Sequence, residues 1–160
     1  APKGRRIGEI IGLFMTEQVG GLGMDALEVS DRLKAQGAVV VLPHPFDRLR
    51  KVFPEDELRE LAVKVDVVEV FNAHVMIPGL NKKADEFADE FRLPKCAGSD
   101  AHSTREVGRA WTEAKAGSAE EFRKRLLAGK TTIGGGYQVS IFRFSPTLAK
   151  IKNKLFGRKH

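Results

Sequence analysis

Three of the four histidines of this 160-residue chain lie just after short apolar runs. His44 follows the run AVVVL, His74 follows VDVVEVF, and His102 follows the shorter run KCA. Because parallel α/β proteins place their functional side chains at the carboxyl ends of strands, we expect these imidazoles to lie at one edge of a sheet. Imidazole and carboxylate groups are ligands for Zn²⁺, Mn²⁺ and Fe²⁺. The pattern therefore predicts a divalent-metal site.

The neighbours of two of these histidines strengthen the prediction. Asp100 and His102 are two residues apart in a predicted turn, so both side chains can face one cation. His44 lies between Pro43 and Pro45, whose rings stiffen the backbone and hold the direction of the imidazole. Each feature alone is also common in proteins without a metal, because aspartate is a frequent turn former. Their combination at successive strand ends favours a metal site.

The elements that would position these residues alternate along the chain. Apolar runs predict strands over 7–14, 38–42, 65–71, 95–97, 108–114 and 131–133. Amphipathic spacing predicts helices over 25–36, 55–64, 81–92 and 118–128, and a final basic helix from Ser145. Ser118 and Glu121 have the spacing of a capping box, and Gly134, Gly135 and Gly136 are predicted to form a loop. This alternation predicts an α/β fold with a parallel sheet and leaves open whether the sheet closes into a barrel.

Composition narrows the class of protein. No apolar stretch approaches the roughly 20 residues that a membrane span needs, and the basic N-terminus lacks the apolar segment of a signal peptide. The single cysteine, Cys96, fits a reducing cytoplasm, and we expect it to be a small buried residue in a strand. The net charge of +6 is compatible with phosphorylated or nucleic-acid partners, and equally with a solubilising tail.

Four segments carry a resemblance to a known family. They are GEIIGLF (8–14), VVVLPHPFDRLRK (39–51), DVVEVFNAH (66–74) and AGSDAHSTREVGRA (97–110). In content and order they resemble the PHP (polymerase and histidinol phosphatase) phosphoesterases, over roughly residues 7–135. The resemblance implies a distorted (β/α)7 TIM-like barrel with two or three divalent metal ions (Zn, Mn or Fe) at its carboxyl-terminal rim. It also implies hydrolysis of phosphate mono- or diesters.

The resemblance assigns metal ligands residue by residue. His44 matches the histidine of the family's "HP" motif, and Asp100 and His102 match the ligand pair of its last motif. Glu9 occupies a strand position where many members have a metal-binding histidine. The family's opening His-x-His pair, its Asp-His pair and a glutamate that commonly bridges metals are not found in the chain. We therefore expect the first βα units to be missing, metal binding by the chain alone to be weak, and pairing with an N-terminal segment or with a second copy.

Basic and polar residues near these ligands are candidates for substrate binding. Arg48 is the predicted phosphate clamp and catalytic residue, because a guanidinium can bind phosphate in a bidentate manner. Asn72, His74 and Arg105 are expected to face the substrate, and Arg50 could add positive field.

Two readings of function follow from these assignments. Residues 1–140 would form a PHP-type domain that hydrolyses nucleotides, short oligonucleotides or small phosphorylated metabolites, with 141–160 as a basic amphipathic helix. Alternatively, the chain is a truncated, non-catalytic remnant that acts as an interaction module through its basic tail. A reading frame with His-x-His and Asp-His pairs upstream would favour the enzyme.

Overall fold

A computed structural model describes residues 8–20, 23–50 and 52–137. The strands are β1 (Ile11–Leu13), β2 (Val39–Leu42), β3 (Val67–Asn72), β4 (Lys95–Gly98), β5 (Ala110–Glu113) and β6 (Thr132–Gly135). The helices are α1 (Ala26–Ala35), α2 (Glu55–Ala62), α3 (Pro78–Glu90) and α4 (Ala119–Leu127). The helix predicted from Ser145, and with it the predicted tail 141–160, lies outside the described residues.

The strands form a four-stranded sheet in the order β1-β2-β3-β4 and a two-stranded sheet of β5 and β6. β2, β3 and β4 are parallel, which confirms the predicted α/β class with a parallel sheet. β1 instead runs antiparallel to β2 and is only three residues long, where the sequence predicted a strand over 7–14. The described residues contain no helix that is long and apolar enough to cross a bilayer.

The two central strands are buried on both faces, which explains why β2 and β3 read as continuous apolar runs. On one face, helices α1, α2 and α3 cover the sheet with large side chains such as Leu33, Leu58, Leu61 and Phe87. On the other face, Leu126 of α4 packs against strand residues of the sheet, with Phe122 beside it. The rigid strands therefore hold their carboxyl ends in a fixed arrangement.

The predicted glycine loop after β6 is wrong at two of its three residues. Gly134 and Gly135 belong to β6 and pair with Trp111 and Ala110 of β5. A Cβ on Gly134 would collide with the Trp111 indole, and one on Gly135 with the β5 backbone. Gly135 also has a φ of 132°, which only glycine adopts readily. These glycines permit close approach of the two strands, a use that composition cannot distinguish from a flexible loop.

α4 begins as the sequence predicts, but its cap differs from a full capping box. The Ser118 hydroxyl accepts a hydrogen bond from the Glu121 N–H at 3.1 Å. The Glu121 carboxylate accepts from the Gly117 N–H at 2.9 Å and not from the Ser118 N–H that a capping box would use. This hydrogen bond, followed by the contact with Arg125, lowers the pKa of Glu121 below 4.5.

Glu121→Gln is expected to lower the free energy of unfolding at neutral pH. Because the folded pKa lies below the unfolded value of 4.5, the ionised carboxylate stabilises the fold above pH 4.5. That contribution is lost as the pH falls through the folded pKa, so variant and parent should converge in acid. Urea unfolding of both proteins across this range tests the prediction. Glu60→Gln, at an exposed position of α2, is the control, and an equal pH dependence in both variants would contradict it.

Candidate metal centre

Predicted site residues follow the carboxyl ends of β2, β3 and β4, which lie at one edge because these strands are parallel. His44 comes two residues after β2, and Asp100 two residues after β4. Both have positive φ, 26° at His44 and 48° at Asp100, a conformation that non-glycine residues rarely adopt. Strained backbone of this kind clusters at functional sites, where it fixes the direction of a side chain.

The structure brings His44 and Glu9 into contact. The His44 Nε2 lies 3.1 Å from Glu9 Oε2, although Glu9 precedes β1 by two residues and is not part of that strand. His44 is 6% exposed, and its Nδ1 is buried with no hydrogen-bond partner among the described residues. A buried imidazole nitrogen without a partner is unfavourable in a plain core and fits a ligand position.

Glu69 is a central member of the site that sequence reasoning missed. It lies within β3, is buried, and its Oε2 accepts hydrogen bonds from the His44 N–H and from Asn72 Nδ2, both at 3.0 Å. Burial raises the pKa of Glu69, and this effect exceeds the lowering by the hydrogen bond from Asn72. The carboxylate has room only because Gly98 faces it, since a Cβ there would collide with Glu69 Oε1. Glu69 therefore connects the ends of β2 and β3.

Asn72 connects this network to Asp100. Its Nδ2 also donates to Asp100 Oδ2 at 3.3 Å, and it is almost wholly buried. Asn81 satisfies the Asn72 backbone on both sides, accepting from its N–H at 3.2 Å and donating to its carbonyl at 3.1 Å. α3 begins at Pro78 and not, as predicted, at Asn81, and proline is well suited to the first turn of a helix. Asn81 therefore lies within the helix, and its amide holds the end of β3.

The arginine that contacts Asp100 is Arg50. Its Nη2 lies 2.5 Å from Asp100 Oδ2, and its Nε lies 3.8 Å from the buried Asp47. Arg48, the predicted phosphate clamp, is exposed in the same loop and lines a shallow cavity with Phe46 and Lys83.

His102 turns toward a different neighbour. The His102 ring lies against the His74 ring, with ring centroids 4.8 Å apart. The backbone N–H of His102 donates a hydrogen bond to the buried Glu106 carboxylate at 2.6 Å. His102 Nδ1 is 2.8 Å from the Asp100 carbonyl and 4.0 Å from its carboxylate. Arg105 is exposed in the turn that follows. The structure thus brings His102 together with His74 and Glu106, and Asp100 with Asn72 and Arg50.

Cys96 lies in β4 as predicted, and burial, followed by the nearby Glu69 charge, raises the pKa of its thiol. The thiol is therefore protonated at neutral pH, which argues against a nucleophilic role.

The donor set fits divalent transition metals. Glu9, His44 and Asp100 offer carboxylate and imidazole groups of the kind that such metals bind, and Glu9 contacts His44 at Nε2, which leaves the buried Nδ1 on the opposite side of the ring without a partner among the described residues. Glu69 and Asn72 hold these ligands through hydrogen bonds, which is the usual role of residues behind a metal ligand.

Known proteins resemble parts of this chain. Residues 78–131 match the family described as PHP-associated. Uncharacterized protein MJ0417 of Methanocaldococcus jannaschii is 44% identical over 108 residues, covering 65% of this chain and 45% of that protein. Uncharacterized protein MJ1587 of the same organism is 37% identical over 67 residues, covering 42% of this chain and 37% of that protein. The chain thus spans less than half the length of the curated relatives that it matches.

Two crystal structures share the fold. A two-domain protein of Bacteroides vulgatus, described as containing a PHP-like metal-dependent phosphoesterase, aligns with a TM-score of 0.62 at 20% identity. The alignment covers 79% of this chain and 40% of that one. PsfC of Pseudomonas syringae aligns with a TM-score of 0.50 at 23% identity, covering 84% of this chain and 55% of that one. At these identities the structures show the fold alone. Together with the PHP-associated match over 78–131, they confirm that the chain resembles the PHP family, as its motifs predict.

Proposed function

We propose that this chain contributes part of the metal centre of a PHP-type phosphoesterase that hydrolyses phosphate mono- or diesters. The observation that carries the proposal is the network at the strand ends. The Glu9 carboxylate contacts the His44 imidazole, and the His44 backbone N–H donates a hydrogen bond to Glu69. The Asn72 amide donates to both Glu69 and Asp100. Nucleotides, short oligonucleotides and small phosphorylated metabolites are the proposed substrates.

In the whole protein, we propose that the described sheet is part of a distorted (β/α)7 barrel. The His-x-His and Asp-His ligands would come from another segment of the whole protein, because a second copy of this chain would lack them as well. A cytoplasmic location fits the single cysteine, and nucleic acid is a candidate partner for the net positive charge.

Glu9, His44, Asp100 and His102 would hold the divalent ions. The metals would supply Lewis-acid stabilisation of phosphate charge and a lowered pKa for water. Glu69 and Asn72 hydrogen-bond to the His44 backbone and to the Asp100 carboxylate, and so connect the two strand ends that carry these residues.

The chain's own cations would bind the phosphate. Arg50 already lies against a carboxylate at the proposed site, so its guanidinium is placed where an anionic oxygen would bind. Arg48 and Arg105 are exposed and could contact the outer part of a larger substrate, together with Asn72 and His74 at the end of β3.

Metal binding by the purified chain tests the proposal. We expect added Mn²⁺ or Zn²⁺ to bind in equilibrium dialysis, and His44→Ala to bind at least about tenfold more weakly. His160→Ala, at the C-terminal histidine, is the matched control and should bind like the parent. Hydrolysis of p-nitrophenyl phosphate and of bis(p-nitrophenyl) phosphate is then measured on the chain and on any longer product of its reading frame.

Metal binding that is insensitive to His44→Ala would contradict the proposed centre. Binding that depends on His44, but with no hydrolysis by any product of the reading frame, would favour the non-catalytic interaction module.

A further inference from the structure

A small cavity lies beside the loop that follows β2, between that loop and the helices α2 and α3. Its volume is about 150 Å³, and most of its lining residues are apolar. The charged residues that line it are Arg48 from the loop, Glu55 from α2 and Lys83 from α3. None of the proposed metal ligands lines it, so the cavity lies outside the proposed metal centre.

The two cations of this cavity have no carboxylate partner among the described residues. Lys83 Nζ lies 4.5 Å from the centroid of the Phe46 ring, and such a contact positions an ammonium group without neutralising its charge. The Arg48 side chain is exposed. Because Glu55 is the single carboxylate in the lining, two positive charges face one negative charge. The cavity is therefore suited to an anion.

The carboxylates nearby on α3 are paired with other cations. Glu86 and Glu90 line the groove that adjoins the cavity, together with Lys83. Glu86 lies 3.4 Å from Lys82 Nζ, and Glu90 lies 2.7 Å from Arg59 Nη1. These partners offset the negative charges, so the charge of Lys83 is left for a ligand.

The loop places its two arginines in different surroundings. The Asp47 N–H donates to the His44 carbonyl at 3.1 Å, and the Arg50 N–H donates to the Asp47 carbonyl at 2.9 Å. Within these two turns, Arg50 contacts Asp100 at the proposed metal centre, whereas Arg48 lines the cavity. Cα atoms two positions apart are separated by less than about 8 Å. One ligand with two neighbouring phosphate groups can therefore contact both arginines.

We propose that Arg48 and Lys83 form an anion subsite that binds the phosphate group next to the one that is hydrolysed. A guanidinium can bind phosphate through two parallel hydrogen bonds, and an ammonium group adds a mobile point charge. The inference rests on the proposed function and chooses among its substrates: short oligonucleotides, which carry successive phosphates, are preferred to mononucleotides and to metabolites with one phosphate.

The alternative is a pair of solvated surface cations that attract any anion equally. Such attraction depends on total charge and is screened by salt, so it does not depend on which lysine of α3 is removed. Lys82 provides the comparison, because it is adjacent to Lys83 on α3, is exposed, and lines neither the cavity nor the adjoining groove.

Calorimetric titration of the full 160-residue chain tests the subsite, with the 5′-phosphorylated thymidine dinucleotide and thymidine 5′-monophosphate as probes. We expect the dinucleotide to bind at least about tenfold more tightly, the usual gain from one charge-assisted contact. Arg48→Met and Lys83→Met should each reduce this ratio to less than about threefold. Lys82→Met removes an equal charge and should leave the ratio within about twofold, as should Lys83→Arg, which keeps the charge in the cavity.

Two results would overturn the subsite. One is a ratio below about threefold in the parent chain, and the other is an equal loss in Lys82→Met and Lys83→Met. Failure of the proposed function gives a different result: no His44-dependent metal binding and no hydrolysis, with a preference for the dinucleotide that still depends on Lys83. Metal binding and hydrolysis without that preference would reject the subsite alone.

Discussion

Glu69→Ala is expected to lower the free energy of unfolding by about 2–4 kcal/mol. The substitution removes a buried side chain between β2 and β3 and leaves the His44 N–H without its acceptor. Asn72 loses one of its two carboxylate partners at the same time. A buried donor left unsatisfied costs about 1–3 kcal/mol, and the cavity adds to that cost. Urea unfolding at neutral pH, monitored by circular dichroism, measures the difference.

Glu69→Gln is the matched control and should cost no more than about 1 kcal/mol. The amide keeps the shape and one accepting oxygen, and it removes a charge whose burial already raises the pKa of this carboxyl. Equal losses in the alanine and glutamine variants would mean that the charge, and not the shape and hydrogen bonding of Glu69, stabilises the strand ends. Losses below about 0.5 kcal/mol in both would contradict the role assigned to Glu69 here.

The parts of the site that could be predicted follow from one rule about parallel sheets. β2 and β3 read as buried strands because both of their faces are covered, and parallel strands end at a common edge. His44, His74 and Asp100 follow the ends of β2, β3 and β4, so the strand boundaries and the order of the chain were enough to predict that they lie at one edge. The antiparallel pairing of β1 could not be predicted in this way, because a three-residue strand carries too little pattern.

The residues that sequence reasoning missed act through long-range contacts. Glu69 carried a signal, an acidic residue within an otherwise apolar strand, but its partners His44 and Gly98 are far from it in sequence. A β-bulge between Glu69 and Phe71 also shifts the register of β3 against β4, which a strict alternation of faces does not anticipate. Glu106 differs, because its contacts are local: its carboxylate accepts hydrogen bonds from the His102 and Ser103 backbone N–H groups, in a turn whose sequence has no repeating pattern.

The sequence also could not show which of Arg48 and Arg50 lies at the proposed site. The two residues are separated by one position in a loop without a repeating period, so spacing gives no direction for either side chain. In the structure, Arg50 reaches Asp100, whereas Arg48 lines the cavity beside Phe46. We therefore expect the two arginines to differ sharply in their effect on phosphoester hydrolysis.

Arg50→Met is expected to lower kcat/KM for bis(p-nitrophenyl) phosphate by about 10²-fold. The variant is made in whichever protein hydrolyses this substrate, the chain itself or a longer product of its reading frame. The guanidinium lies 2.5 Å from Asp100, so its removal withdraws positive charge from the place where phosphate charge would develop. Arg48→Met removes an equal charge from the same loop and should change kcat/KM less than about threefold, since an exposed charge is screened by solvent. Arg50→Lys keeps the positive charge and removes the guanidinium, and so separates these two roles of Arg50. If kcat is partly recovered, the positive charge acts on the phosphate. If the variant folds but kcat is not recovered, Arg50 only positions Asp100. The reverse order of effects, with Arg48→Met the more damaging, would restore Arg48 as the phosphate clamp.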